Sequence, residues 1–356
     1  MNSRDLTIRR RGQFATDDVG PAFTRLFLPG QILYGSRRTY LQKIAVADFE
    51  GICANTTFVL ESKDSEILEN RLLPFVMLSD SFTEWAISHS KGSTNPYVLF
   101  SDLADYEINL PSIEEQRILA DKLWAAYRLK EAYKRLLTAT DEMVKSQFIE
   151  MFGDPINNSK NWKISSLKDT CVLVSDGPFG SNLKSCHYVQ EGVRVIRLQN
   201  ICQGQFNDTD RAYISNEHYK TLKKYTCKPG EIVIATLGEP NLRACIIPDY
   251  IKLSINKADC IHVIPKSDLL NPIFVCSYFN STQVLHLATA DIHGTTRARI
   301  AGGQVANFPV YLPPIKLQED FAAIVSQADK SKYYVHNKLN NICHILTNQI
   351  QLRRCS

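Results

Sequence analysis

The sequence predicts an α+β chain in which two globular domains alternate with two long helices that pack on each other. Three observations lead to this expectation. The first is an internal repeat. Leu-Pro-Ser-Ile-Glu-Glu-Gln at 110–116 returns as Leu-Pro-Pro-Ile-Lys-Leu-Gln at 312–318, and Pro-Gly-Gln-Ile at 29–32 returns as Pro-Gly-Glu-Ile at 229–232. Gly92 before the first copy of the helix motif matches Gly294 before the second, and Gly-Gln-Phe occurs at 12–14 and again at 204–206. Four short matches in one order make the chain two copies of a unit of about 200 residues. The second observation is that each copy ends in a long stretch with an apolar stripe at a spacing near 3.5, the period of a coiled-coil seam. The third is that short β-rich runs separated by turn residues precede each stretch.

Taken in order, residues 1–110 form the first domain, with QILYGS, KIAVADF and TTFVLES as strands and a helix near Leu72–Ser88. Residues 111–153 form the first long helix. Its seam is read through Leu119, Leu123, Ala126, Leu129, Tyr133, Leu136, Thr140, Met143, Gln147 and Met151. Glu114 and Glu115 lie in its first turn, where the helix dipole favours anions, and Phe-Gly-Asp-Pro at 152–155 stops it. At 1.5 Å per residue such a helix is a rod of about 60 Å. Residues 154–312 form the second domain, with strands at 193–198, 231–237 and 260–265 and a helix over Pro272–Ala288 capped by Asn271. Residues 313–356 form the second rod, its seam running through Phe321, Ala328, Val335, Leu339 and Ile342. Between Trp162 and the second Gly-Gln-Phe lies a stretch without counterpart in the first copy, so the first domain reads as shortened on its N-terminal side by roughly thirty residues.

Composition excludes several classes. Hydrophobic residues make up 44% and charged residues 22%, which suits folded domains rather than a disordered chain. No run approaches the ~20 apolar residues of a membrane span, and the basic N-terminus is followed by no signal-like apolar segment. The ten cysteines include no CxxC pair, so they read as reduced, mostly buried small hydrophobes of a cytoplasmic protein. There is no GxxxxGK[ST], no GxGxxG and no HExxH, and the eight histidines are dispersed. Asn271-Pro272-Ile273-Phe274 departs from a methyltransferase tetrapeptide at its third position and suits a helix N-terminus better. No paired acids or Ser/His/Asp group stands out, so no catalytic residue and no metal site is expected.

What remains is polar and basic loop chemistry. Residues 161–311 carry 16 Lys or Arg against 12 Asp or Glu, and the whole chain has net charge +4, a weak indication of an anionic partner. In the loop Gly177–Lys184, small residues permit close backbone approach, and Ser181, Asn182 and Lys184 are candidates for phosphate or base-edge contact. Arg194 and Arg197 flank a strand that Gln199 and Asn200 follow, and Asn or Gln pairs bidentately with adenine. Around Gly294, His293, Thr295, Thr296, Arg297 and Arg299 combine hydroxyls with guanidiniums suited to phosphate and guanine. The corresponding candidates in the first copy are Lys91, Ser93 and Thr94, with Arg37, Arg38 and Tyr40 after a strand.

The order of domain, helix with LPSIEEQRILADKL (110–123), FGDP, Trp162, DGPFGSNLK (176–184) and second helix with LPPIKLQ resembles the specificity subunit of type I restriction-modification systems. The resemblance covers nearly the whole chain. It implies that each domain is a target-recognition domain reading one half of a bipartite site in double-stranded DNA. It also implies that the two helices form an antiparallel coiled coil, which sets the gap and docks two adenine-N6 methyltransferase subunits, joined where present by ATP-dependent restriction subunits. No cofactor is then expected in this chain, with SAM, ATP and Mg belonging to the partners. The missing stretch in the first domain leaves an alternative open: a truncated scaffold or recombination cassette in which only the second domain reads DNA. A stand-alone DNA methyltransferase or nuclease is the enzyme alternative, which the absent motifs disfavour.

Overall fold

Pro29-Gly30 and Pro229-Gly230 start the same hairpin twice. Each glycine takes the left-handed conformation a side chain resists (φ 89° and 82°), and its N–H bonds to the carbonyl of Ala47 or Ile247 on the neighbouring strand. The computed structural model containing these hairpins describes residues 6–8, 20–290 and 299–349. It falls into two units: residues up to Leu137 with those from Tyr334 onward, and Thr138–Tyr333.

The first unit opens with β1 (Phe23–Phe27), β2 (Ile32–Gly35), β3 (Ile44–Val46), β4 (Gly51–Ala54) and β5 (Thr57–Leu60). Helices α1 (Leu73–Leu78), α2 (Asp80–Ser88) and α3 (Phe100–Ala104) follow, then the first part of α4 (Ile113–Phe152). Two small sheets result, β1-β4 and β3-β2-β5. Tyr34, Ile44, Phe75, Val76, Phe82 and Leu123 are buried in one core.

Beyond α4, the second unit contains β6 (Lys163–Ser166), α5 (Leu167–Thr170), β7 (Cys171–Ser175), β8 (Tyr188–Val189), β9 (Val193–Ile196), β10 (Tyr213–Ile214) and α6 (Asn216–Thr221). Next come β11 (Thr226–Cys227), β12 (Ile232–Ala235), β13 (Ala244–Ile246), β14 (Ser254–Asn256) and β15 (Cys260–Pro265). The chain continues through α7 (Pro272–Phe279), α8 (Thr282–Ala290), α9 (Gly302–Ala306), β16 (Pro309–Leu312) and α10 (Ile315–Gln349). Its sheets run β11-β14-β9-β10-β8, β13-β12-β15-β7 and β16-β6.

The repeat holds at the level of single hydrogen bonds. Ile32 faces Val46 and Leu60, as Ile232 faces Ile246 and Val263. Ser36 N–H donates to the Thr56 carbonyl, and Thr236 N–H to the Asp259 carbonyl. The pairing β1–β4 (Phe27 with Gly51, Leu26 with Ile52) matches β11–β14 (Cys227 with Ser254, Thr226 with Ile255).

The two long helices pack antiparallel. In the first unit the early part of α4 meets the late part of α10, with Ala120, Leu123 and Tyr127 clustering with Ile342 and Leu346. In the second unit the late part of α4 meets the early part of α10, where the Phe148 and Phe152 rings lie edge-on to Phe321. Two details correct the expected elements. The expected positions Leu119, Leu123, Ala126, Tyr133 and Met151 do pack on the cores, joined by Ala120, Tyr127, Val144, Phe148 and Phe152, whereas Leu129, Leu136 and Met143 are exposed. The reason is that the buried stripe is broader than a two-helix seam: Phe148 also stacks on Phe274 of α7, Phe152 meets the same ring edge-on, and the Tyr127 hydroxyl accepts from Leu6 N–H. Each of the two expected single helices is also two. Ser79 ends α1 and caps α2 through its hydroxyl, and Asn280 ends α7, its side-chain amide making both backbone bonds to Ala244 at the start of β13.

Among the described residues no helix is long and apolar enough to cross a membrane. The nine described cysteines are free; burial pushes the Cys171 thiol up to about 11 and the Cys245 thiol up to about 12.

Candidate nucleic-acid interface

In the second unit the Gly177–Lys184 loop leaves the end of β7 and crosses the end of β14. Gly177 permits the crossing: a Cβ there would lie 2.3 Å from the Lys257 carbonyl carbon. The loop then presents Phe179, Ser181, Asn182 and Lys184 to solvent. Its far end is held by histidines. His218 Nε2 donates to the Asn182 carbonyl at 2.9 Å, and the Lys184 N–H donates to His187 Nδ1 at 3.2 Å.

Arg299 comes to this loop from 120 residues away in the chain. Its guanidinium lies 5.5 Å over the Phe179 ring and pairs with Asp259 at 2.7 Å. Asp259 is itself placed by a left-handed backbone (φ 68°), with its carbonyl accepting from both the N–H and the hydroxyl of Thr236. Asp176 completes the surroundings: burial pushes its carboxyl above the usual range, Arg299 opposes that shift and Asp259 adds to it. The result is an exposed guanidinium with restricted direction beside an exposed aromatic ring and a loop of small polar residues. Such a surface is suited to phosphate oxygens and base edges.

Three of the expected contact residues are engaged within the protein. Arg194 is 6% exposed, ion-paired with Asp208 at 2.9 Å and bonded to the Asp210 carbonyl at 2.8 Å. Asn200 is fully buried; its amide donates to the carbonyls of Asn207 and Asp210 and accepts from Arg197 N–H. Arg197 is half-buried, with both its Nε and Nη2 on the Asp210 carboxylate and its guanidinium over Tyr188. All three tie the strand end to the 207–210 turn, because buried cations and amides must be paired where they stand. Gln199, one position from Asn200, is exposed. His293, Thr295, Thr296 and Arg297 lie outside the described residues.

In the first unit the two expected loops meet. Arg37 and Lys91 both bridge to Tyr97, and Arg38 N–H donates to the Pro96 carbonyl at 2.7 Å. The Arg38 guanidinium reaches the Asn95 side chain at 3.3 Å, and Thr39, buried between the loops, bonds the Ser90 hydroxyl at 3.0 Å. Arg37, Arg38, Tyr40, Lys91, Ser93 and Thr94 are exposed on this joined surface, Lys91 lying 3.6 Å from Asp102. The arrangement repeats that of the second unit: the bridge Arg37–Tyr97 stands where Leu237–Arg299 stands.

Sequence reasoning missed the organising residues. Arg243 donates to the carbonyls of Leu198, Ile201, Leu237 and Pro240, tying two loops together through one planar fork. Lys257 lies 5.5 Å over the Tyr188 ring. The acidic turn Asn207-Asp208-Thr209-Asp210 was the available signal that Arg194 and Arg197 had partners close by.

A family described as the type I restriction modification DNA specificity domain matches residues 24–138 and 159–342. The chain is 31% identical over 90 residues to the type I restriction enzyme EcoDI specificity subunit of Escherichia coli, across 25% of this chain and 19% of that relative's length. It is 21% identical over 296 residues to the MjaVIII specificity subunit of Methanocaldococcus jannaschii, across 79% of this chain and 68% of that one. Among solved structures, the S subunit of a type I system from M. genitalium superposes with TM-score 0.60 at 14% identity, covering 94% of this chain and 84% of that one. A chain from a study of complex assembly and conformational transition in a type I R-M system superposes with TM-score 0.56 at 17% identity, covering 98% and 88%. At these identities the structural likeness establishes the fold.

Proposed function

The chain belongs to the type I restriction modification DNA specificity domain family, and on that premise we propose that it is a sequence-reading subunit that performs no chemistry of its own. Each globular domain, residues 1–110 and 154–312, reads one half of a bipartite site in double-stranded DNA. The helices over 111–153 and 313–356 set the gap and dock two adenine-N6 methyltransferase subunits. SAM is held by those partners, and ATP and Mg by restriction subunits where these join, all in the cytoplasm.

The observation that carries this reading is the repeated loop junction. In each unit a bridge from the loop after the hairpin strand (Arg37 or Leu237) meets a residue of a distant loop (Tyr97 or Arg299) and places exposed cations at one surface. Affinity then comes from Lys and Arg on phosphates, and discrimination from side chains at base edges. Spacing between the half-sites follows the helices, as in dimeric readers.

The test is a methylome. The chain is co-expressed with the methyltransferase subunit of its own locus in a host without N6-adenine methylation, and modified adenines are mapped by long-read sequencing. Two short tracts with a fixed gap are expected. Absence of methylation despite a stable complex overturns the reading, and a palindrome built from one tract removes the first domain from it.

A further inference from the structure

Arg243 and Lys43 stand at the same place in the repeated hairpin. Ala235 N–H donates to the Arg243 carbonyl and Gly35 N–H to the Lys43 carbonyl, each at 2.9 Å. The residues that follow pair alike, Ala244 with Ile234 and Ile44 with Tyr34. The two side chains differ in what they hold. Arg243 is half-buried, and all its bonds go to the backbone of two loops. Its Nε donates to the Ile201 carbonyl at 2.7 Å and its Nη2 to Leu198 at 3.1 Å. Its Nη1 donates to Leu237 at 2.9 Å and to Pro240 at 3.0 Å. Arg194, Arg197 and Arg299 pair with carboxylates, whereas among the described residues Arg243 forms no ion pair. Lys43, among the described residues, makes no side-chain hydrogen bond. The hairpin therefore forms without an arginine at this place, and what the arginine adds is the junction of the loops.

Each joined loop leads to one candidate reader of bases. Leu198 precedes Gln199, which is exposed, and Leu237 bridges to Arg299. Arg243 thus reaches both readers through a single intervening residue. Its guanidinium is planar, with donors in a fixed fork, so the carbonyls on its two sides keep one mutual geometry; a lysine ammonium on a flexible stem imposes none. We propose that Arg243 is a positioning residue that holds Gln199 and Arg299 as one reading head, so that the two discriminate bases jointly rather than one by one. It acts through these residues and touches no base itself. The proposal rests on the reading of DNA by the second domain.

The experiment uses the full chain with its methyltransferase subunit, and duplexes carrying the mapped site, that site with single base pairs changed, or random sequence. With Arg243 in place, the joint effect of Gln199→Ala and Arg299→Ala on cognate binding is expected to depart from the product of the single effects by about fivefold or more. In an Arg243→Lys background that departure vanishes. Arg243→Lys also lowers preference for the mapped site over changed sites by about tenfold, while binding to random duplexes, which follows charge, changes by less than about twofold. In the chain without DNA, the same substitution speeds hydrogen exchange about tenfold at 198–202 and at 236–243 together. Weakening that is equal on cognate and random duplexes, a Gln199–Arg299 coupling that survives Arg243→Lys, or exchange that rises in one loop alone overturns the proposal. If the complex with Arg243 intact shows no preference among the duplexes, the reading of DNA itself fails and the proposal falls with it, a result visible before any variant is made.

Discussion

Gln116 and Gln318 hold equivalent places in their units and make the same three hydrogen bonds. Gln116 Nε2 donates to the carbonyls of Ile67 (3.0 Å) and Pro111 (2.9 Å), and its Oε1 accepts from Glu69 N–H (3.1 Å). Gln318 Nε2 donates to Leu269 (3.0 Å) and Pro313 (2.8 Å), and its Oε1 accepts from Asn271 N–H (2.8 Å). Both are buried, so each amide satisfies three backbone groups that water does not reach. These glutamines close the repeated Leu-Pro motif and join the first turn of each long helix to the chain entering α1 or α7.

Gln116→Ala or Gln318→Ala is therefore expected to lower stability by about 2–3 kcal/mol, since truncation leaves buried carbonyls and an N–H unpaired. Glutamate in either place is no remedy, because a carboxylate donates nothing to the two carbonyls. The urea midpoint followed by circular dichroism measures this, and an unchanged midpoint would refute the role.

Arg194 and Arg299 separate folding from binding. Arg194→Ala removes a buried cation from Asp208 and is expected to cost about 3 kcal/mol of stability. Arg299→Ala, at an exposed site, should leave the melting temperature nearly unchanged and weaken binding of cognate DNA by about 1–3 kcal/mol if it reads a base. Thermal melts and DNA titrations of the two variants should give opposite patterns.

Gly177 tests how the loop is seated. Gly177→Ala forces a Cβ into the Lys257 backbone and is expected to cost about 1–3 kcal/mol while displacing the loop that carries Phe179 and Ser181. Gly303→Ala, in α9 with open space at the added Cβ, serves as the control and should be neutral or slightly stabilising. Equal effects of the two would remove the steric explanation.

His262 introduces a pH dependence. It is fully buried and its Nε2 donates to the Glu231 carboxylate at 2.7 Å. Burial holds its pKa below the ordinary 6.5, against the opposing pull of Glu231. The unfolded chain gains a proton near 6.5 while the folded one remains neutral to lower pH. Its contribution to stability is thus fully present above 6.5 and is lost as pH falls from there through the depressed folded value. Comparing thermal midpoints of the protein and of His262→Gln from about pH 8 to pH 5.5 isolates the term, with a shallower slope expected in the variant.

The sequence alone determined the repeat, the two long helices, the recurring Pro-Gly motif at 29–30 and 229–230, and the loops at 37–40, 91–94 and 177–184. These features rest on local chemistry: glycine at positive φ, apolar periodicity, and turn residues at regular positions. Tertiary structure decided which cations face outward. Arg194 and Arg299 are alike as letters, but one lies on a buried strand opposite Asp208 and the other on an exposed bridge beside Phe179. It also decided the face of α4 that is buried, because Phe148 and Phe152 answer to α7 as well as to α10. It decided the exposure of Ile52, whose counterpart Ile255 is covered only because β9 lies beside it. Burial and pairing depend on neighbours distant in the chain, and spacing along one sequence does not carry that information.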